Sequence, residues 1–311
     1  MYKDIYDLIV DKSSKGRILS KNDIKYIAKR IAHVYGVDKY DFDIDVIYRP
    51  YSLDARALFD LVSGHIVFNQ SKFKRLYKSE PFFLANSALI YELVHEITHI
   101  EQMNLIKHHS IDDFDDPLIK LEYYLNKTFM SSLFVAGRPM FVPTVDQMKV
   151  LKNAKVEKDK DFYKNLRLLY KKAHDNLPCE RIANIRGLNF AINLIEANAE
   201  GKKREKLALY AMKRYLYGIY LRGYADANID LTPYVDSNVD VTPIIMYMSM
   251  FGLSEDIPFI KGLIEEINDK YILDDETRMT YGLNISEDIM NKAKNAKEDY
   301  NDKLAKLSKK K

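Results

Sequence analysis

Ala88-Leu-Ile-Tyr-Glu-Leu-Val-His-Glu-Ile-Thr-His-Ile-Glu-Gln102 is the stretch on which the reading of this chain turns. It places His-Glu-Ile-Thr-His at residues 95–99 inside an apolar run. A four-residue spacing on a helix stacks His95 and His99 one above the other on a single face. Two imidazoles one turn apart can share a metal ion, and Glu96 beside them can activate a water bound to it.

The surroundings of the motif read as a helix from about residue 80 to 106. Ser79 is a candidate cap, Glu80 suits the positive end of a helix, and Pro81 is tolerated in a first turn. Leu84, Ala88, Tyr91, Val94 and Ile97 then recur at spacings of three and four. Two histidines and a carboxylate on so apolar a helix are costly to bury without partners, which favours a metal over an accidental pattern.

On His95, Glu96, His99 and the strands that precede them, the chain resembles the zincin metallopeptidases. The likeness is confined to that part of the chain. It implies a hydrolase with one Zn2+ per chain, His95 and His99 as ligands, Glu96 as general base, and a peptide or protein as substrate. The alternative is a catalytically inactive zinc-binding protein of the same fold, acting as a binding or structural module. Metzincins continue with Gly and a third His, where this chain has Gln102 and Leu105. His108 lies nine residues past His99, about 14 Å along a continuous helix, too far for the same ion. His108 and His109 are therefore expected to be exposed near the helix end.

Gluzincins take their third ligand from a Glu on a later helix. The segment 177–187, Leu-Pro-Cys-Glu-Arg-Ile-Ala-Asn-Ile-Arg-Gly, offers Glu180 just after a first-turn Pro178, with small Ala183 favouring close helix approach. Glu196 and Glu200, also four apart on the same expected helix, compete for the role. Where the family has an acidic residue four positions after the ligand, this chain has Asn184, whose amide oxygen can still accept from an imidazole. Glu92, one turn before His95, is a second supporting candidate. For the donor to the oxyanion, which zincins take from a Tyr or His, the candidates are His174, Tyr217 and Tyr220.

Working outward, Ser20-Lys-Asn-Asp opens a helix carrying Ile24, Ile27, Ala28 and Ile31 on one face and ending at Gly36. Residues 42–48 alternate as a half-buried strand. Residues 57–61 and 65–69 read as two more strands joined by Val62-Ser63-Gly64. By resemblance, His65, Ile66, Val67, Phe68 and Asn69 would form the edge strand that receives substrate backbone by strand addition. The expected fold is α+β: a zincin-like N-terminal lobe over residues 1–112, then a mostly helical lobe over 113–311. Helical periodicity runs through 118–136, 161–174, 178–200 and 205–225; residues 137–143 form a Pro-bounded loop. Asp230-Leu-Thr-Pro and Asp240-Val-Thr-Pro read as helix starts, and the last 20 or so residues as an exposed helix or tail.

The chain has 311 residues and a net charge of +3 at pH 7, so neither a nucleic-acid footprint nor a polybasic membrane patch is indicated. Its single cysteine, Cys179, excludes an intramolecular disulfide and is expected to be a small buried residue. The start lacks the apolar core of a signal peptide and no run is long enough for a bilayer, so a cytoplasmic protein is expected.

Overall fold

The computed structural model of the chain describes residues 2–39, 43–47, 57–60, 65–135, 178–225, 257–273 and 287–308. It is mostly helical. Expectations for residues 137–143, 161–174 (with His174), 230–233 and 240–243 lie outside the described residues.

The chain begins with α1 (Lys3–Ser14) and α2 (Lys21–Val34). Helix α2 starts where Ser20 predicts, through a reciprocal capping box. The Ser20 hydroxyl accepts from the Asp23 amide at 3.3 Å, and the Ser20 amide donates to the Asp23 carboxylate at 2.7 Å. Ile24, Ile27, Ala28 and Ile31 form its buried face, each buried Ile contributing about 1.5–3 kcal/mol. Gly36, with φ of 66°, closes it in the left-handed conformation that glycine adopts without strain.

Three short strands follow: β1 (Asp43–Ile47), β2 (Ala57–Asp60) and β3 (His65–Asn69). They form one sheet in the order β1-β3-β2. β3 runs parallel to β1, with Ile44 opposite Ile66, and antiparallel to β2, with Leu58 opposite Val67. This corrects the edge-strand expectation for His65, Ile66, Val67, Phe68 and Asn69. β3 is the central strand, and His65–Phe68 are paired with a strand on each side, so they have no free edge to offer a peptide. Asn69 instead caps α3 (Gln70–Ser79), a helix the sequence did not announce; its side chain accepts from the Lys72 amide at 3.3 Å. Ser79 ends α3 rather than capping the next helix. Its hydroxyl turns back to the carbonyls of Arg75 and Leu76.

Helix α4 (Phe82–His108) carries the motif. It contains neither Gly nor Pro after Pro81, and Lys107 and His108 complement the negative end of its dipole. It is buried nearly all round from Phe83 to Met103, as a helix apolar on every side must be. Its buried hydroxyls are satisfied locally: Ser87 donates to the Phe83 carbonyl and Thr98 to the Val94 carbonyl. Asn86 anchors it laterally. The side-chain oxygen accepts from the Tyr77 hydroxyl and the Leu19 amide, and its NH2 donates to Ser13 and the Arg17 carbonyl.

After a 3-10 turn (Ile111–Asp113) come α5 (Pro117–Val135), α6 (Pro178–Asn198), α7 (Lys203–Ala225), α8 (Ile257–Lys270) and α9 (Glu287–Ser308). Among the described residues, no helix is long and apolar enough to cross a membrane.

The chain divides into two compact units, but not at 112/113. One gathers Met1–Asn104, Ala183–Gly218 and Ser286–Lys311; the other comprises Leu105–Ile182 and Ile219–Ile285. The linear cut fails because the body of α6 packs on α4 and so belongs with the N-terminal segment. α9 belongs there too: it is a helix with most of its described side chains exposed, and it buries Tyr300, with the Arg214 guanidinium 4.5 Å from that ring's centre. In the second unit α5 packs on α8, with Tyr124 and Phe259 rings 5.1 Å apart and the Tyr271 hydroxyl bonded to Asp116.

Candidate metal centre

Most of α4 and the body of α6 from Ala183 onward face each other inside the first unit. They come close at Gly187, where an added Cβ would stand 2.7 Å from the Tyr91 carbonyl oxygen. Only the missing side chain permits that approach. One turn down α6, the Asn184 oxygen accepts a hydrogen bond from the Tyr91 hydroxyl. An ion pair between Arg186 and Glu101, at 2.7 Å, ties the two helices together again. Residues 180, 184 and 187 share one face of α6, spaced four and three apart. That face therefore delivers Glu180, in the first turn of α6, to the face of α4 that bears His95 and His99.

The outcome is a compact donor set. The Nε2 atoms of His95 and His99 stand 3.1 Å apart, with the rings at 90°. One ligand atom from each of His95, His99 and Glu180 lies within 4.8 Å of the others, and the group could hold a metal ion. All three residues are no more than 9% exposed, and Glu96 is 5% exposed. Glu92, one turn before Glu96 on the same face, is buried as well.

Two residues beside the set were not anticipated. Gln102 is buried, and its side-chain oxygen lies 2.9 Å from His99 Nδ1. The Tyr91 and His95 rings meet edge to face, with centroids 6.1 Å apart at 71°. The only sequence signal for either is spacing: Tyr91 is four before His95 and Gln102 three after His99. The Asn184 oxygen, expected to accept from an imidazole, accepts from the Tyr91 hydroxyl.

The rival carboxylates lie elsewhere. Glu196 pairs with Lys213 at 2.6 Å and Glu200 with Lys202 at 3.4 Å, all on exposed surface. His108 and His109 are exposed, and the His109 carbonyl accepts from the Tyr123 hydroxyl. Cys179 is buried, and burial pushes its thiol well above the ordinary value, so it is an inert apolar residue rather than a nucleophile. Tyr217 and Tyr220 both lie on α7, with Tyr217 half-buried.

Comparison with family models, with curated proteins and with solved structures found no match to this chain.

Proposed function

We propose that this protein is a zinc-dependent metallopeptidase of gluzincin-like type, with His95, His99 and Glu180 as ligands and Glu96 as general base. One observation carries the reading: two imidazole nitrogens and one carboxylate converge on a single buried point, beside a second buried carboxylate. The donor set suits the ion. His2Glu is a ligand set of catalytic zinc, and two nitrogens each about 2.0–2.1 Å from one tetrahedral centre stand about 3.3 Å apart. The 3.1 Å between the Nε2 atoms is close to that value. The order helix, small sheet, active-site helix supports an α+β zincin-like arrangement for the N-terminal part of the chain.

Bound there, zinc would supply Lewis acidity and lower the pKa of a coordinated water to about 7. The chain's own residues do the rest. His95 and His99 hold their Nε2 atoms together from successive turns of one helix. Glu180 adds the third donor and a negative charge. Glu96 takes the proton from the water that attacks the peptide carbonyl and returns it to the leaving amine. The surrounding apolar residues of α4 exclude bulk water and so strengthen each of these interactions.

The test is peptide hydrolysis by the full chain and by Glu96→Gln. Loss of about 10²-fold or more in rate, with zinc retained, supports the proposed base. Wild-type rates in Glu96→Gln would refute it. Zinc bound by the wild type with no hydrolysis of any peptide in a broad mixture would turn the assignment to a binding module.

A further inference from the structure

We infer that Gln102 is the positioning residue for His99: its side-chain oxygen holds the proton on Nδ1 and leaves Nε2 bare for the metal. The inference rests on the metal-centre reading above.

A neutral imidazole carries one N–H, and the hydrogen bond made by one nitrogen decides the state of the other. His99 Nδ1 is 2.9 Å from the Gln102 oxygen, and His99 Nε2 is 3.1 Å from His95 Nε2. The nitrogen that faces His95 is the one that must offer a lone pair. The nitrogen that faces Gln102 must then carry the proton, and only an acceptor satisfies it there. An amide NH2 turned to the ring would do the opposite, placing the proton on Nε2 and closing the site. Gln102 suits the acceptor role for two further reasons. It sits three residues after His99 on the same helix, so the distance is set by helix geometry rather than by loop packing. It is only 1% exposed, so water does not compete for the bond. Orienting partners of this kind are worth about 10- to 100-fold in metal affinity. A glutamine does this without adding a further negative charge to the site.

The experiment uses the full-length chain in three forms: wild type, Gln102→Met and Gln102→Glu. Methionine keeps the length and removes the acceptor; glutamate keeps the acceptor and removes the donor. Long-range proton–nitrogen correlation spectra of ¹⁵N-histidine-labelled, metal-free protein report the tautomer of His99 directly. Competition against a chromophoric chelator reports zinc affinity. The expected result is an Nδ1–H tautomer in wild type and Gln102→Glu, and loss of it in Gln102→Met. Zinc binding should be about 10- to 100-fold weaker in Gln102→Met and at least as tight as wild type in Gln102→Glu. An unchanged tautomer and affinity in Gln102→Met would overturn the inference, as would zinc binding in Gln102→Glu as weak as in Gln102→Met. If the methionine variant does not fold, the glutamate variant decides alone, since loss of zinc there contradicts an acceptor role. A wild type that binds no zinc would sink the metallopeptidase reading, while the tautomer spectra would still decide the role of Gln102.

Discussion

Glu180 and Glu196, one near each end of α6, each have a polar residue four positions on and meet opposite fates. At its start Glu180 and Asn184, four apart, are turned toward α4 and buried. Near its end Glu196 is turned to solvent and paired with Lys213, and Glu200, expected on the same helix, lies beyond its last residue, Asn198, paired with Lys202. A four-residue spacing in the sequence therefore shows neither that the helix extends to both residues nor what their face meets. What distinguishes the ends is local packing. Gly187 lets α4 close against the first half of α6, and the Tyr91–Asn184 bond fixes the register of that contact. Glu196 is instead paired with Lys213, itself partly exposed.

The contrast can be broken most forcefully at the carboxylates. Glu180→Ala is expected to lose zinc at stoichiometric concentration, whereas Glu196→Ala retains it, as read by chelator competition on both variants. Equal retention would mean that burial beside two histidines does not make a ligand. Glu196→Ala should also leave stability nearly unchanged, since an exposed ion pair is worth about 0–1 kcal/mol.

The helix contact comes next. Gly187→Ala forces a Cβ against the Tyr91 backbone, and overpacking of this kind costs about 1–3 kcal/mol. Gly218 on α7 is the matched control, since an added Cβ there meets nothing within 4 Å. Gly218→Ala should stabilise by about 0.5–1 kcal/mol through helix propensity alone. Thermal melts of the two variants should therefore move in opposite directions, and Gly187→Ala alone should weaken zinc binding. A melt raised by Gly187→Ala would show that the close approach does not constrain the helices.

Smaller effects follow from the hydrogen bonds. Tyr91→Phe removes the donor to Asn184 and should cost about 1 kcal/mol in stability, with a several-fold loss of zinc affinity. An unaltered affinity would separate the α4–α6 clasp from the metal centre. The smallest expected change lies far from the site, at the start of α2. Burial alone would raise the Asp23 carboxyl, but hydrogen bonds from Lys12 and Ser20 outweigh it and hold the group below its ordinary value. A carboxyl depressed in the folded state contributes stability above its unfolded pKa of about 3.9, and that contribution is lost as pH falls through the folded value. The thermal midpoint of wild type should thus fall more steeply below about pH 4 than that of Asp23→Asn. Parallel acid profiles would contradict the assignment.

Much of this molecule was legible in its sequence, and the boundary of legibility has a physical reason. His95, Glu96 and His99 lie within five residues on one helix, so local geometry alone relates them. Ser20 and Asp23 announce α2 for the same reason. Pro178 announces the first turn of α6 and places Glu180 in it. The position of β3 between β1 and β2 is different in kind, because strand order depends on pairings between distant segments that periodicity does not encode. α3 was missed although Phe73, Leu76 and Tyr77 recur at helical spacing, because it is only ten residues long and follows the strand with no break between them. Gln102 and Tyr91 stand at readable spacings from the histidines, but their roles appear only once ring orientations and the approach of α6 are known. Gly187 is similar: a glycine within a helix looks like a weakness until the backbone carbonyl opposite it is seen.

The most direct test of the central claim is X-ray absorption at the zinc edge, on full-length protein purified without chelators and analysed for metal content. The account predicts about one zinc per chain, with the multiple-scattering signature of two imidazoles, remaining ligands that are oxygens, and no sulfur. A protein that retains no zinc, a zinc without imidazole ligands, or a sulfur ligand at about 2.3 Å would contradict it.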